Sequence, residues 1–109
     1  MKLNEYQTLA LRTAKRGSFE HDLNHVALGV AGEAGEFADA VKKHTIYNKA
    51  FDYENAAEEL GDLLWYVALG CETLGITMSQ VAERNIRKLR ERYPEKYTDE
   101  LAAQRLDKQ

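Results

Sequence analysis

The chain is expected to be all-helical, one bundle of four main helices and a short C-terminal one. Three features of its 109 residues point there. Apolar residues recur at three- and four-residue steps over long stretches. Strand-like alternation is scarce. Pro94 is the one proline, so little interrupts a helix. The length suits a single domain over residues 1–109 with enough core to fold without staples.

The first helix is signalled by Asn4 with Gln7 three residues on, the form of a capping box, and Tyr6, Leu9, Ala10 and Ala14 keep the register until Gly17. A polar stretch, "GSFEHD", then leads into the second. Its stripe runs Leu23, Val26, Ala27, Val30, Ala31, Ala34, Phe37, Ala38 and Val41. "HTIYNKAFDYEN" breaks the pattern, with Asp52 or Asn55 as the next cap. The third helix carries Ala56, Ala57, Leu60, Leu63, Leu64, Val67, Ala68, Cys71 and Leu74, and stops at Gly75. Thr77 and Gln80 form a second capping box ahead of Met78, Ala82, Ile86, Leu89 and Tyr93, and Pro94 ends that fourth helix. A tail from about Thr98 to Leu106 has the amphipathic pattern of a short fifth helix.

A net charge of −3, from 15 basic and 18 acidic residues, argues against nucleic acid or a membrane surface as partner. Cys71 stands alone in an apolar run, which suits a reduced, buried thiol. The N-terminal residues lack the apolar run of a signal peptide, and no segment is long and apolar enough for a membrane span. The expected compartment is the cytoplasm.

Two short segments repeat each other, "GEAGEF" at 32–37 and "EELGDL" at 58–63. On a helix, Glu33 and Glu36 lie one turn apart on one face, as do Glu59 and Asp62. Like charges at that spacing destabilise an isolated helix by about 0.2–0.5 kcal/mol a pair. Both pairs fall at the edge of an apolar stripe, so antiparallel packing of the two helices brings four carboxylates together. Such a cluster requires a neutralising cation. All-oxygen donors favour Mg²⁺, Mn²⁺ or Ca²⁺; di-iron bundles use Glu-x-x-His, and none of His21, His25 and His44 has that register. Gly29, Gly32, Gly35 and Gly61 each weaken a helix, which suggests close approach of another backbone or of a ligand.

The shoulder of the fourth helix carries Asn85, Lys88 and Arg92, a strip suited to polyphosphate oxygens. Asn24, His25 and Trp65 are candidates for holding a base, by stacking or edge hydrogen bonds. Trp65, Leu69 and Leu28 fall off the intramolecular stripes, where they would bury a subunit interface.

"GEAGE" and "EELGDLLWYVA", read as E-x-x-E, a 22-residue gap and E-x-x-D, followed by "NIRKLRERYP", resemble the MazG-like all-α nucleoside triphosphate pyrophosphohydrolases, a similarity running from about Asn4 to Tyr97. The resemblance implies an α-helical bundle assembled as a homodimer or homotetramer. It implies Mg²⁺, with Mn²⁺ as an alternative, on Glu33, Glu36, Glu59 and Asp62. The implied reaction is hydrolysis of a nucleoside triphosphate to monophosphate and pyrophosphate. Glu33 and Glu36 are the expected catalytic carboxylates, with Glu36 as base or nucleophile-side ligand; Glu58 faces solvent. Asn85, Lys88, Arg92 and Tyr93 match phosphate-side positions. Two other readings stand beside this one. A related pyrophosphohydrolase would act on a deoxycytidine, deoxyuridine or phosphoribosyl nucleotide. A non-catalytic helical adaptor would bind a protein through Trp65 and Leu69.

Overall fold

The structure is a computed structural model that describes residues 1–108. Its helices are α1 (Leu3–Leu11), α2 (Phe19–Thr45), α3 (Tyr53–Leu74), α4 (Met78–Arg92) and α5 (Asp99–Gln104), followed by a 3-10 turn at Leu106–Lys108. No strand occurs among the described residues, as the helical periodicity requires.

The ends of α3 and α4 follow their local chemistry. Asp52 caps α3 by accepting from the Asn55 N–H at 3.0 Å. Gly75 takes the left-handed conformation that ends it, φ 71°. Thr77 and Gln80 cap each other reciprocally at the start of α4, and Thr98 caps α5.

The start of the chain departs from expectation. Asn4 and Gln7 are not a capping box; Glu5 instead accepts from the Lys2 N–H at 3.3 Å. Asn4 and Gln7 reach across the fold. Asn4 Oδ1 accepts from the Ser79 N–H, and buried Gln7 accepts from the Met78 N–H at 2.7 Å while donating to Glu72 and to the Ile76 carbonyl. Polar side chains near a helix start serve equally for capping and for long-range pairing, and local spacing cannot separate the two.

Helix α2 also begins earlier than its apolar stripe. Ser18 caps it by accepting from the His21 N–H at 3.1 Å. Asp22, 2 % exposed, closes the preceding turn through Arg16 Nε at 2.9 Å, the Gly17 N–H at 3.0 Å and His21 Nδ1 at 3.1 Å. The hydrogen bonds from Arg16 and His21 hold its carboxyl down at about 2.

α2 and α3 form a long hairpin, α1 packs against α3, and α4 packs against α1 and the end of α3. The core lies at that corner, where Ala10, Ala68, Cys71 and Met78 are surrounded by Tyr6, Leu11, Trp65 and Ile76. Burial raises the Cys71 thiol's pKa. Helix α4 has no extensive packing against α2, so the expected four-helix bundle is not closed within one chain. Leu23, Ala27, Ala31, Ala34 and Ala38 of α2, with Leu60, Leu64, Val67 and Leu74 of α3, lie exposed rather than in a stripe-to-stripe core. Their arcs are wider than one neighbouring helix can cover.

The molecule is correspondingly open. Its radius of gyration is 16.9 Å, against about 13 Å for a compact domain of this length. Its accessible surface is 8035 Å², where a monomer of this mass exposes roughly 6,100 Å².

Candidate metal centre

Midway along the hairpin, α2 and α3 turn three carboxylates toward each other. Glu33, Glu59 and Asp62 each offer an oxygen, and the three oxygens lie within 4.8 Å of one another. Glu33 and Glu59 are half-buried and Asp62 is exposed. The antiparallel hairpin places these residues opposite each other, because Glu33 falls on the same face of α2 as the buried Ala40 and Asp22, the face that α3 covers.

The trio is electrostatically strained. Glu59's carboxyl is pushed up from its ordinary value, first by sharing a hydrogen bond with Glu33, then by burial and by the charges of Glu33, Glu36 and Asp62. A raised carboxyl marks a site that would bind a proton or a cation more readily than solvent-exposed acids do. Oxygens around one Mg²⁺ lie up to about 4.2 Å apart and around Ca²⁺ up to about 5 Å. The observed span therefore needs only side-chain rotation to close on a divalent ion. The donor set is all oxygen, which fits Mg²⁺, Mn²⁺ or Ca²⁺.

Glu36 stands apart from the trio. It is exposed, and it reaches the cluster only through its charge on Glu59. The expected four-carboxylate knot is thus three converging carboxylates with a fourth beside them. The turn of about 60° between residues three apart brings Glu33 to the centre of the interface and leaves Glu36 at its rim. Glu58 is exposed, as expected.

Of the glycines, Gly29 alone makes the anticipated close approach. A Cβ there would lie 2.1 Å from the ring of Tyr66, so the ring rests directly on the α2 backbone one turn from Glu33. At Gly32, Gly35 and Gly61 a Cβ would meet open space, and the close approach expected of them is absent. Tyr66, which its helical pattern did not single out, adjoins both Asp62 and the His25 and Trp65 rings. A glycine one turn before an acidic residue was the available signal.

The remaining candidates separate. Trp65 donates its indole N–H to the Ala10 carbonyl at 3.1 Å and to Thr13 Oγ1 at 2.9 Å, tying α3 to α1. Leu69 is fully buried, so neither it nor Trp65 forms the outward surface expected of them, and an adaptor reading loses its contact face. α1 covers that side, which the apolar periodicity of α3 alone does not encode. Leu28 is 75 % exposed, as an interface residue would be. Asn24 is exposed and stands half a turn from Glu33's direction, facing away from α3 and from any base pocket there. His25 packs edge-on against Trp65 and Tyr66, and its Nδ1 is buried without a hydrogen-bond partner.

Arg92 is not available as the free fork expected for phosphate. Its Nε and Nη2 bind Asp107 at 2.9 and 3.1 Å, and Tyr93 packs on Tyr97. Only the C-terminal turn reveals that pairing, since Asp107 lies 15 residues on. Asn85 and Lys88 are exposed on α4, outside the α2–α3 layer.

Residues 22–97 match the MazG nucleotide pyrophosphohydrolase domain. That segment spans most of the chain and contains all four acidic positions, so the protein belongs to the MazG nucleotide pyrophosphohydrolase domain family. A particular relative is Gene 37 protein of Mycobacterium phage L5, 41 % identical over 75 residues, in a match that covers 64 % of this chain and 65 % of that protein. No solved structure gives a significant match. No helix among the described residues is long and apolar enough to cross a membrane.

Proposed function

We propose that the protein is a divalent-metal-dependent hydrolase that cleaves a nucleoside triphosphate between its α- and β-phosphates, releasing the monophosphate and pyrophosphate. The observation that carries this reading is the convergence of the Glu33, Glu59 and Asp62 oxygens within 4.8 Å of one another, with the Glu59 carboxyl raised first by its hydrogen bond to Glu33. Glu33, Glu59 and Asp62 would hold Mg²⁺ or Mn²⁺. When bound there, the ion supplies positive charge to the departing pyrophosphate and lowers the pKa of the attacking water.

The chain's own groups do the rest. Glu36, outside the trio and open to solvent, accepts the proton of the attacking water. The water oxygen bonds to the α-phosphorus, the α–β bridging P–O bond breaks, and the electron pair leaves on pyrophosphate. Glu33 and Glu59 would reach the ion from opposite helices. Tyr66, His25 and Trp65 form an apolar flank one turn along, suited to packing against a nucleoside.

We further propose that the working form is a homodimer or homotetramer. Leu60, Leu64 and Val67 project from the shoulder of α3 opposite the one bearing Asp62, so the apolar face can pair with a second copy without covering the carboxylates. The surface in excess of a compact monomer, roughly 1,900 Å² per chain, is more than the ~800 Å² that each partner gives to a standard interface and falls in the range of the larger, obligate ones.

The test is product analysis across a panel of nucleoside triphosphates, deoxycytidine and deoxyuridine nucleotides and a phosphoribosyl nucleotide with Mg²⁺ or Mn²⁺. Pyrophosphate with monophosphate is the expected product pair. Orthophosphate with diphosphate, or no turnover on any member, would overturn the assignment.

A further inference from the structure

The groove that holds the acidic trio has two unlike ends. Residues seven apart on a helix point within about 20° of each other. Glu36 and Lys43 therefore share one edge of α2, and Asn55 and Asp62 share one edge of α3. Because the helices are antiparallel, these edges border the same groove. Toward α1 the groove meets the rings of His25, Trp65 and Tyr66. Toward the hairpin tip it opens into a cavity of about 350 Å³ lined by Ala40, Lys43, Lys49, Ala50, Asp52 and Asn55.

The tip is where the charge changes sign. Lys43 and Lys42 share a single carboxylate, Asp39, at 3.3 and 3.6 Å. The Lys49 ammonium has no ion-pair partner among the described residues, and its loop is pinned by a 2.7 Å contact between His44 Nδ1 and the Lys49 carbonyl. Asp52 already spends Oδ1 on capping α3. The cavity lining thus carries two lysines, Lys43 and Lys49, against one carboxylate, Asp52, which is engaged by a helix N-terminus. The alanine floor leaves room for a tetrahedral group. Asn55 lies one turn from Glu59, and Ala40 one turn from Glu36, so the cavity adjoins the acidic trio directly.

We propose that this hairpin-tip cavity is the seat of the β- and γ-phosphates, with Lys49 and Lys43 as their charge partners, so that the leaving pyrophosphate exits from the tip. The assignment rests on the hydrolase reading above and gives it a polarity: nucleoside toward α1, pyrophosphate toward residues 43–55. It also supplies the phosphate-binding cations that α4 does not bring to the trio within one chain, where Arg92 is held by Asp107.

The test uses inorganic pyrophosphate, nucleoside monophosphate and Mn²⁺ as separate calorimetric titrants on the full chain. Lys43→Ala combined with Lys49→Ala is expected to weaken pyrophosphate binding in the presence of Mg²⁺ by about tenfold or more. Monophosphate and Mn²⁺ affinities should remain at the wild-type level, and the double Arg variant should keep pyrophosphate binding. Both lysines are exposed, so their removal leaves the fold intact. Unchanged pyrophosphate affinity in the double Ala variant would overturn the assignment, as would an equal loss for monophosphate, which marks a diffuse field. The binding readout requires no turnover, so a wild type that binds pyrophosphate through these lysines yet cleaves no triphosphate sinks the hydrolase reading and not the cavity's ligand.

Discussion

The corner where α1, α3 and α4 meet and the middle of the α2–α3 hairpin are built on opposite terms. At the corner, small side chains and Met78 pack tightly, and buried Gln7 has its amide groups engaged by Met78, Glu72 and Ile76. In the hairpin, three acids crowd together, one glycine admits a ring, and the outer apolar face is bare. Packing is concentrated in the first region and the proposed chemistry in the second. A site proposed to accept a cation cannot also be electrostatically relaxed without it, so its strain has to be carried by a well-packed region elsewhere.

The sharpest way to break that contrast is Glu59→Gln. Activity is expected to fall by about 10²–10³-fold, while the metal-free protein becomes more stable at neutral pH. The sign follows from the raised carboxyl: stability associated with a raised acid is present below its unfolded pKa and lost as pH rises through the folded one. Thermal melting in chelator, with and without the substitution, reads it. A lower melting temperature would show that the trio is not strained.

Gln7→Leu attacks the other region. It strands the Met78 N–H and removes two donors, for an expected loss of about 1–3 kcal/mol in urea unfolding. Metal binding per folded molecule should not change, and a shift in Mn²⁺ affinity would show that the two regions are coupled. Gly29→Ala sits where they touch. Its Cβ would collide with the Tyr66 ring, costing about 1–3 kcal/mol, and pairing it with Tyr66→Leu should restore part of the loss.

Leu64→Glu tests the bare face. Sedimentation should move from oligomer to monomer, and an unchanged profile would place the contact elsewhere. The smallest effect is expected from acid. Asp22 has its carboxyl lowered from 3.8 to about 2, so its contribution is present above 3.8 and lost as pH falls toward 2. Asp22→Asn should flatten the acid limb of the stability curve in that window.

The paired acidic motifs were legible because the helical repeat alone puts Glu33 near Glu36 and Glu59 near Asp62. The ends at Thr77 and Gly75 were legible for the same reason, being local in sequence, and the α3 cap was narrowed to Asp52 or Asn55, of which the structure uses Asp52. Leu69 and Trp65 were misread because a helical wheel assigns a direction but not the neighbour that lies there; α1 supplied one. Arg92 was misread because its partner belongs to a turn beyond Pro94.

From the chain alone came the helical class, the places where helices end, the family likeness and the acidic residues of the site. These depend on periodicity and capping, which act over four residues or fewer. The third dimension decided that Glu36 stays at the rim, that Gln7 anchors α4, that Arg92 belongs to Asp107, and that one face of the hairpin stays bare. Each of those depends on which segments meet across tens of residues, where the free energy comes from shared burial and long-range hydrogen bonds, and no local pattern encodes the choice.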